Sequence, residues 1–231
     1  MSTAIRRERD VAPPFVDGER LSGDEFLRRY EAHPDIKHVQ LIEGVVRVIS
    51  PSNQHGLAHR MAAAWLGDYA DETPGVGALL CVTVKLDAKE IYEPDVELCI
   101  AEELGGRNRA VGGHTVGAPE LALEVSHTTD RYDLGPKLRG YERHGVDEYV
   151  VWRTDAGLLD WFVRDVGKLR RLEPGADGIL RSIRFPGLWL DPVALLANDR
   201  KRVKAVLAEG LRSDAHADFV QRLAAGEFKR P

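Results

Sequence analysis

Only two cysteines, Cys81 and Cys99, occur in the 231 residues, and no C-x-x-C pair frames them. That spacing gives no support to a structural zinc site or a dithiol redox centre, so both are read as small buried residues inside apolar, strand-like runs. No uninterrupted apolar segment approaches the roughly 20 residues that a membrane-spanning helix needs. The charged, proline-containing opening MSTAIRRERDVAPPFVDGE has no apolar secretion stretch. The expectation is a cytoplasmic protein with no membrane partner. Excess positive charge is missing too, because the formal net charge is −5. This argues against a protein that coats nucleic acid through many phosphate contacts. A nuclease stays open, since carboxylates that hold a cation add negative charge of their own. Internal repeats, low-complexity tracts and a convincing linker are also absent.

What is present reads as one α/β domain long enough for a substantial core. Residues 1–20 are read as a flexible arm carrying Arg6, Arg7 and Arg9, residues 21–196 as the domain, and residues 197–231 as a C-terminal helical tail. LSGDEFLRRYEAH predicts a first helix with Ser22 as N-cap. HVQLIEGVVRVIS predicts a hairpin turning at Glu43-Gly44. Ser50-Pro51-Ser52-Asn53 opens a long helix whose apolar residues recur at helical spacing. GALLCVTVKLD, YEPDVELCI and APELALEVS predict strands, and the Gly-rich stretch between the last two predicts a mobile loop over the site face. A helix-like segment, DRYDLGPKLRGYERHG, ends near Gly145, and a strand pair turns at Asp155-Ala156-Gly157.

Two acids stand out because each adjoins an apolar run. Asp95 follows Pro94 in EPDVELCI, and Glu124 lies 29 residues later in LALEVS. An unpaired charge near a core is costly unless a cation compensates it. Lys137, 13 residues beyond Glu124, is placed where a helix doubles back across the strand end. Two strand carboxylates and a lysine form a candidate site for Mg²⁺ or Mn²⁺ and phosphodiester hydrolysis. Such a metal needs only one or two protein carboxylates, and a lysine can orient water and stabilise developing charge. Glu43, beside the hairpin, is a further candidate. His55 and His59 are spaced i, i+4 on a helix, a zinc-site spacing, but the intervening glutamate of metalloproteases is missing. His55 is therefore read as lining the site, and Ser126 as touching it through a hydrogen bond. Asp133 and Tyr141 are read as supporting residues, and the basic runs at 168–171 and 200–204 as solvated faces.

Pro94-Asp95, Glu124-Val125-Ser126, Asp133-x-x-x-Lys137-Leu138-x-x-Tyr141 and Gly145-Val146-x-Glu148-Tyr149 occur in one order, preceded by Leu41-Ile42-Glu43-Gly44 and Ser50-Pro51-x-x-x-His55. This order resembles the PD-(D/E)XK superfamily, in particular a bacterial restriction-endonuclease-like branch of uncharacterised substrate, across roughly residues 22–195. The resemblance implies a restriction-endonuclease-like mixed sheet flanked by helices. It also implies that Asp95 and Glu124 bind metal and that Lys137 is catalytic. A strict E-x-K would place lysine at 126, where this chain has Ser126; in the resembled branch the lysine moves to the following helix, as Lys137 does. The function implied is a metal-dependent endonuclease acting on nucleic acid, DNA foremost, as a homodimer. The alternatives are a catalytically silent nuclease fold serving as a binding or assembly module, and a metalloenzyme for another phosphate ester.

Overall fold

The structure, a computed structural model, describes residues 12–229 apart from Pro34 and Pro51. Arg6, Arg7 and Arg9 of the N-terminal arm therefore lie outside the described residues. Residues 12–20 lie against the fold: Ala12 is buried, Gly18 N donates to Val46 O, and Arg20 bridges to Val45.

Helix α1 (Gly23–Ala32) begins where the capping signal places it, with Ser22 Oγ accepting from Glu25 N at 3.2 Å. Strands β1 (Val39–Ile42) and β2 (Val45–Val48) form the expected hairpin. Both turn residues take left-handed backbone angles, Glu43 at φ 52° and Gly44 at φ 73°, a turn whose twist suits an antiparallel pair and which only glycine enters without strain. Helix α2 (Asn53–Asp71), capped by Ser52, buries Ala58, Met61, Ala62, Trp65, Leu66 and Tyr69 along one stripe.

Strands β3 (Val76–Leu80), β4 (Val84–Lys85), β5 (Ile91–Tyr92) and β6 (Val96–Ile100) follow. The sequence reads GALLCVTVKLD and YEPDVELCI as one strand each; the structure divides both. β3 pairs with β6 in one sheet, and β4 pairs with β5 in another. The ribbon changes sheet at two adjacent corners, Cys81–Thr83 and Glu93–Asp95, joined by Cys81 N donating to Asp95 O. Cys81 takes a left-handed φ of 50° at its corner and is half-exposed, which corrects its placement in a buried strand.

The Gly-rich stretch is also corrected. Strands β7 (Arg109–Val111) and β8 (His114–Val116) make a hairpin at the edge of the second sheet opposite β2. The glycines supply its tight turns and close approaches to backbone.

Strand β9 (Leu121–Ser126) is followed by α3 (Asp130–Tyr132), a wide π turn at Asp133–Lys137 that contains Pro136, and α4 (Leu138–Arg143). This crossover returns the chain to β10 (Glu148–Arg153), parallel to β9. Strands β11 (Leu158–Asp165) and β12 (Lys168–Arg171) complete the central sheet. Its order is β12-β11-β10-β9-β6-β3, and that of the second sheet is β2-β1-β5-β4-β8-β7. A two-stranded ladder of β13 (Leu180–Arg181) and β14 (Trp189–Leu190) leads to α5 (Pro192–Leu196), α6 (Arg200–Leu211) and α7 (Asp214–Ala224).

The central strands separate two interiors through their period of two. Val96, Leu98, Leu121, Leu123, Val125 and Val150 face a core shared with α2 and with Val203, Leu207, Phe219 and Leu223 of the C-terminal helices. Ala122, Tyr149 and Val151 face a second interior with Tyr92 and Tyr141. Gly140 permits close approach there, because a methyl group at that position would come within 2.1 Å of the Tyr92 hydroxyl. Phe26 anchors α1 to the outer sheet in a third, smaller cluster, a fully buried ring worth about 1.5–3 kcal/mol.

Candidate active site

The corner where the ribbon changes sheet opens into a cavity of ≈ 370 Å³. Its lining includes Asp95, Glu124, Lys137 and His55, so four of the sequence candidates meet there. Asp95 arrives on the Glu93–Asp95 corner, Glu124 on β9, Lys137 at the end of the π turn and His55 in the first turn of α2.

Asp95 is held at both ends of its carboxylate. Oδ2 accepts from Val125 N at 2.7 Å, and Oδ1 lies 3.0 Å from His55 Nε2. His59 Nε2 sits 2.9 Å from the Asp95 main-chain oxygen, which fixes the corner to α2. The carboxylate beside His55 holds its imidazole above the usual histidine range, against the opposing effect of burial.

Glu124 and Lys137 form a buried ion pair, Nζ to Oε1 at 2.5 Å. The Tyr141 hydroxyl donates to the same Oε1 at 3.0 Å, which leaves Oε2 as the oxygen able to take a cation. Asp133 Oδ1 lies 3.3 Å from Lys137 Nζ, and Thr129 Oγ1 donates to Asp133 Oδ2 at 2.8 Å. Burial pushes the Glu124 carboxyl upward; Lys137 opposes this, while Asp133 and Asp95 reinforce it. Burial pulls the Lys137 ammonium down, but Glu124 and Asp133 outweigh it and hold the group above its usual value. One ammonium thus stands among three carboxylates, an excess of negative charge that suits a divalent cation.

Two candidates are not brought to the cavity wall. Glu43 is exposed at the hairpin turn, where its Oε1 pairs with Arg139 at 3.1 Å, and it is not among the lining residues. Ser126 is buried behind the wall and reaches the site only through Thr129, Oγ to Oγ1 at 3.3 Å. No residue of the 105–118 hairpin lines the cavity. Among the basic runs, Lys168 pairs with Glu142 and Lys204 with Asp68, both away from the cavity.

Sequence reasoning missed Glu93. Its carboxylate is buried in the cavity wall, with Oε1 3.0 Å from His38 Nδ1 and Oε2 without a hydrogen-bond partner. The signal was its position directly before Pro94 in the same corner. Arg47 and Arg131 were also missed. Both stack on the Tyr132 ring, at 5.0 and 4.7 Å from its centroid, and give the acidic cavity a cationic wall. Nothing in their sequence spacing brings β2 and α3 together.

No helix among the described residues is long and apolar enough to cross a membrane. No curated protein matches the chain. A crystal structure from Anabaena variabilis, described as a putative nuclease belonging to DUF820, superposes with a TM-score of 0.53 at 15% identity, covering 76% of this chain and 99% of that one. At that identity the likeness shows the fold, which is restriction-endonuclease-like. The sequence pattern of Uma2, described as "Putative restriction endonuclease", matches residues 24–194, a span that runs from the first turn of α1 to beyond β14. That span is most of the molecule, and this chain belongs to the Uma2 family.

Proposed function

We propose that the cavity is the active site of a divalent-metal-dependent endonuclease, with DNA the foremost substrate. The observation that carries the reading is the convergence of Asp95, Glu124 and Lys137, from three separate elements, on one acidic cavity with a cationic wall. The donor set fits a hard or borderline dication: Asp95 and Glu124 would hold it, with Glu93 Oε2 in reserve on the same wall. When bound, the ion supplies Lewis-acid polarisation of the phosphodiester and a more acidic water.

The chain's own groups have distinct parts. Lys137 fixes the Glu124 carboxylate and provides positive charge beneath the reacting phosphate. Tyr141 and Asp133 keep that lysine and glutamate in register. Arg47 and Arg131 meet the flanking phosphates as charged donors. Double-strand cleavage would require two such sites, which a homodimer in the cytoplasm would supply.

The test is relaxation and linearisation of supercoiled plasmid with Mg²⁺ or Mn²⁺. Wild type is expected to cleave, EDTA to stop it, and Asp95→Asn to slow it by at least about a hundredfold. A second reading, the catalytically silent module, is favoured by one feature: Lys137 is almost fully enclosed and already engaged by two carboxylates. DNA retention without cleavage, by wild type and Asp95→Asn alike, would establish that reading instead.

A further inference from the structure

His55, His59 and Asp95 offer ligand atoms within 4.8 Å of one another, the one such group of histidine, cysteine or acidic side chains among the described residues. Asp95 Oδ2 is occupied by the Val125 amide, so Oδ1 is the oxygen left for a cation. His55 Nε2 stands 3.0 Å from that same oxygen, and both residues line the cavity. Ligand bonds of about 2.1 Å meeting at a right angle place neighbouring donor atoms about 3.0 Å apart. The His55–Asp95 pair already has the edge length of an octahedral coordination shell.

The position of His55 is also fixed in advance. Ser52 Oγ caps α2 by accepting from His55 N at 3.1 Å. One turn later His59 binds the main chain of Asp95 at 2.9 Å, so helix and corner cannot drift apart without breaking that contact. The imidazole is therefore presented to the carboxylate by two independent restraints.

We propose that His55 Nε2 joins Asp95 Oδ1 as a ligand of the same divalent ion, which makes the centre a mixed nitrogen–oxygen site that selects a first-row transition dication over Mg²⁺. The inference rests on the metal-dependent reading above and narrows it. Mg²⁺ holds its waters tightly and prefers an all-oxygen shell, whereas first-row transition dications accept imidazole more readily, Mn²⁺ the least among them and so the most stringent probe.

The experiment is calorimetric titration of the full chain with Mn²⁺ and, separately, Mg²⁺, with pulsed electron spin resonance of the Mn²⁺-loaded protein. Wild type is expected to bind Mn²⁺ at least about tenfold more tightly than Mg²⁺, and to show nitrogen-14 modulation from a directly bound imidazole. His55→Ala and His55→Gln should both lose the modulation and about tenfold in Mn²⁺ affinity, with Mg²⁺ affinity nearly unchanged. The glutamine variant keeps a hydrogen-bond donor beside Asp95, so loss there separates ligation from hydrogen bonding, and circular dichroism verifies that each variant is folded. Mn²⁺ binding that Asp95→Asn removes but both His55 variants leave intact would overturn the nitrogen ligand while the metal site stands. Absence of nitrogen modulation in wild type would do the same. Wild type binding neither ion would overturn both readings together.

Discussion

At the start of the parallel pair β9–β10, Glu120 and Glu148 are buried among donors; further along it, Glu124 is buried beside a cavity with Asp95 and Glu93. Glu148 accepts from Trp161 Nε1, Ser182 Oγ, Ile183 N and Arg184 N. Glu120 accepts from Ile100 N and Arg107 N. Each oxygen at that end has been answered by the protein itself. At the cavity end, Glu93 Oε2 has no partner, and the one lysine pairs with Glu124 and Asp133 while Asp95 acts on it from farther away. Burial of an acid is thus common to both ends and does not mark a site. What differs is the coordinating capacity left over, and whether a ligand can enter to use it.

Glu97 offers a third case between the two. It faces Ala122 across β6–β9, is fully buried, and neither of its oxygens has a partner. Burial, and secondarily Glu120, pushes its carboxyl up to about 8.

The comparison breaks most visibly at Glu148. Glu148→Ala strands four donors in the interior, and urea unfolding at neutral pH is expected to register a loss of about 3–5 kcal/mol. A loss below about 1 kcal/mol would mean that the donors find water and that this end is not saturated by design. Glu97 gives the next largest effect. Its folded-state value lies above the unfolded one, so any stability cost is absent in acid and grows as pH rises from about 4.5 to about 8. Glu97→Gln should flatten the fall in stability between pH 5 and 8.5 by on the order of 3 kcal/mol relative to wild type. An unchanged slope would mean that the Glu97 charge is answered after all, by water or by a rearranged donor. The smallest effect belongs to Glu43, whose exposed pairing with Arg139 is screened by solvent. Glu43→Ala should leave plasmid cleavage within about twofold and stability within about 0.5 kcal/mol. A large drop in cleavage would bring the hairpin turn into the site after all.

Much of this arrangement is legible in the chain. Local signals placed α1, the Glu43–Gly44 hairpin and α2, because capping side chains and left-handed turns act within a few residues. Asp95 and Glu124 were legible as candidates because each adjoins an apolar run, and Lys137 because of its spacing from Glu124 and its place in the ordered pattern that resembles the PD-(D/E)XK superfamily. Beyond the Glu43–Gly44 hairpin, the second sheet was not legible. Its strands β4 and β5 are two residues each and continue the apolar runs of β3 and β6, so periodicity does not mark the corner at Cys81. The hairpin β7–β8 was hidden for the opposite reason: its strands are short and polar, and their pairing with β4 is decided in three dimensions. Glu93 and the two arginines on Tyr132 escaped notice because their meaning depends on that same corner.

The π turn at Asp133–Lys137 acts as a phase shifter. An extra residue in one helical turn advances everything after it by about 100° relative to everything before it. Asp133 opens that turn, Lys137 closes it and Tyr141 lies beyond it, and all three still converge on Glu124 or its partner lysine. The orientation of the lysine therefore depends on the pitch of the crossover as well as on its separation from the glutamate. The loop after β9 is tied to the same geometry, because its Thr129 holds Asp133 beside the ammonium, and a single insertion or deletion inside the turn would aim that ammonium elsewhere.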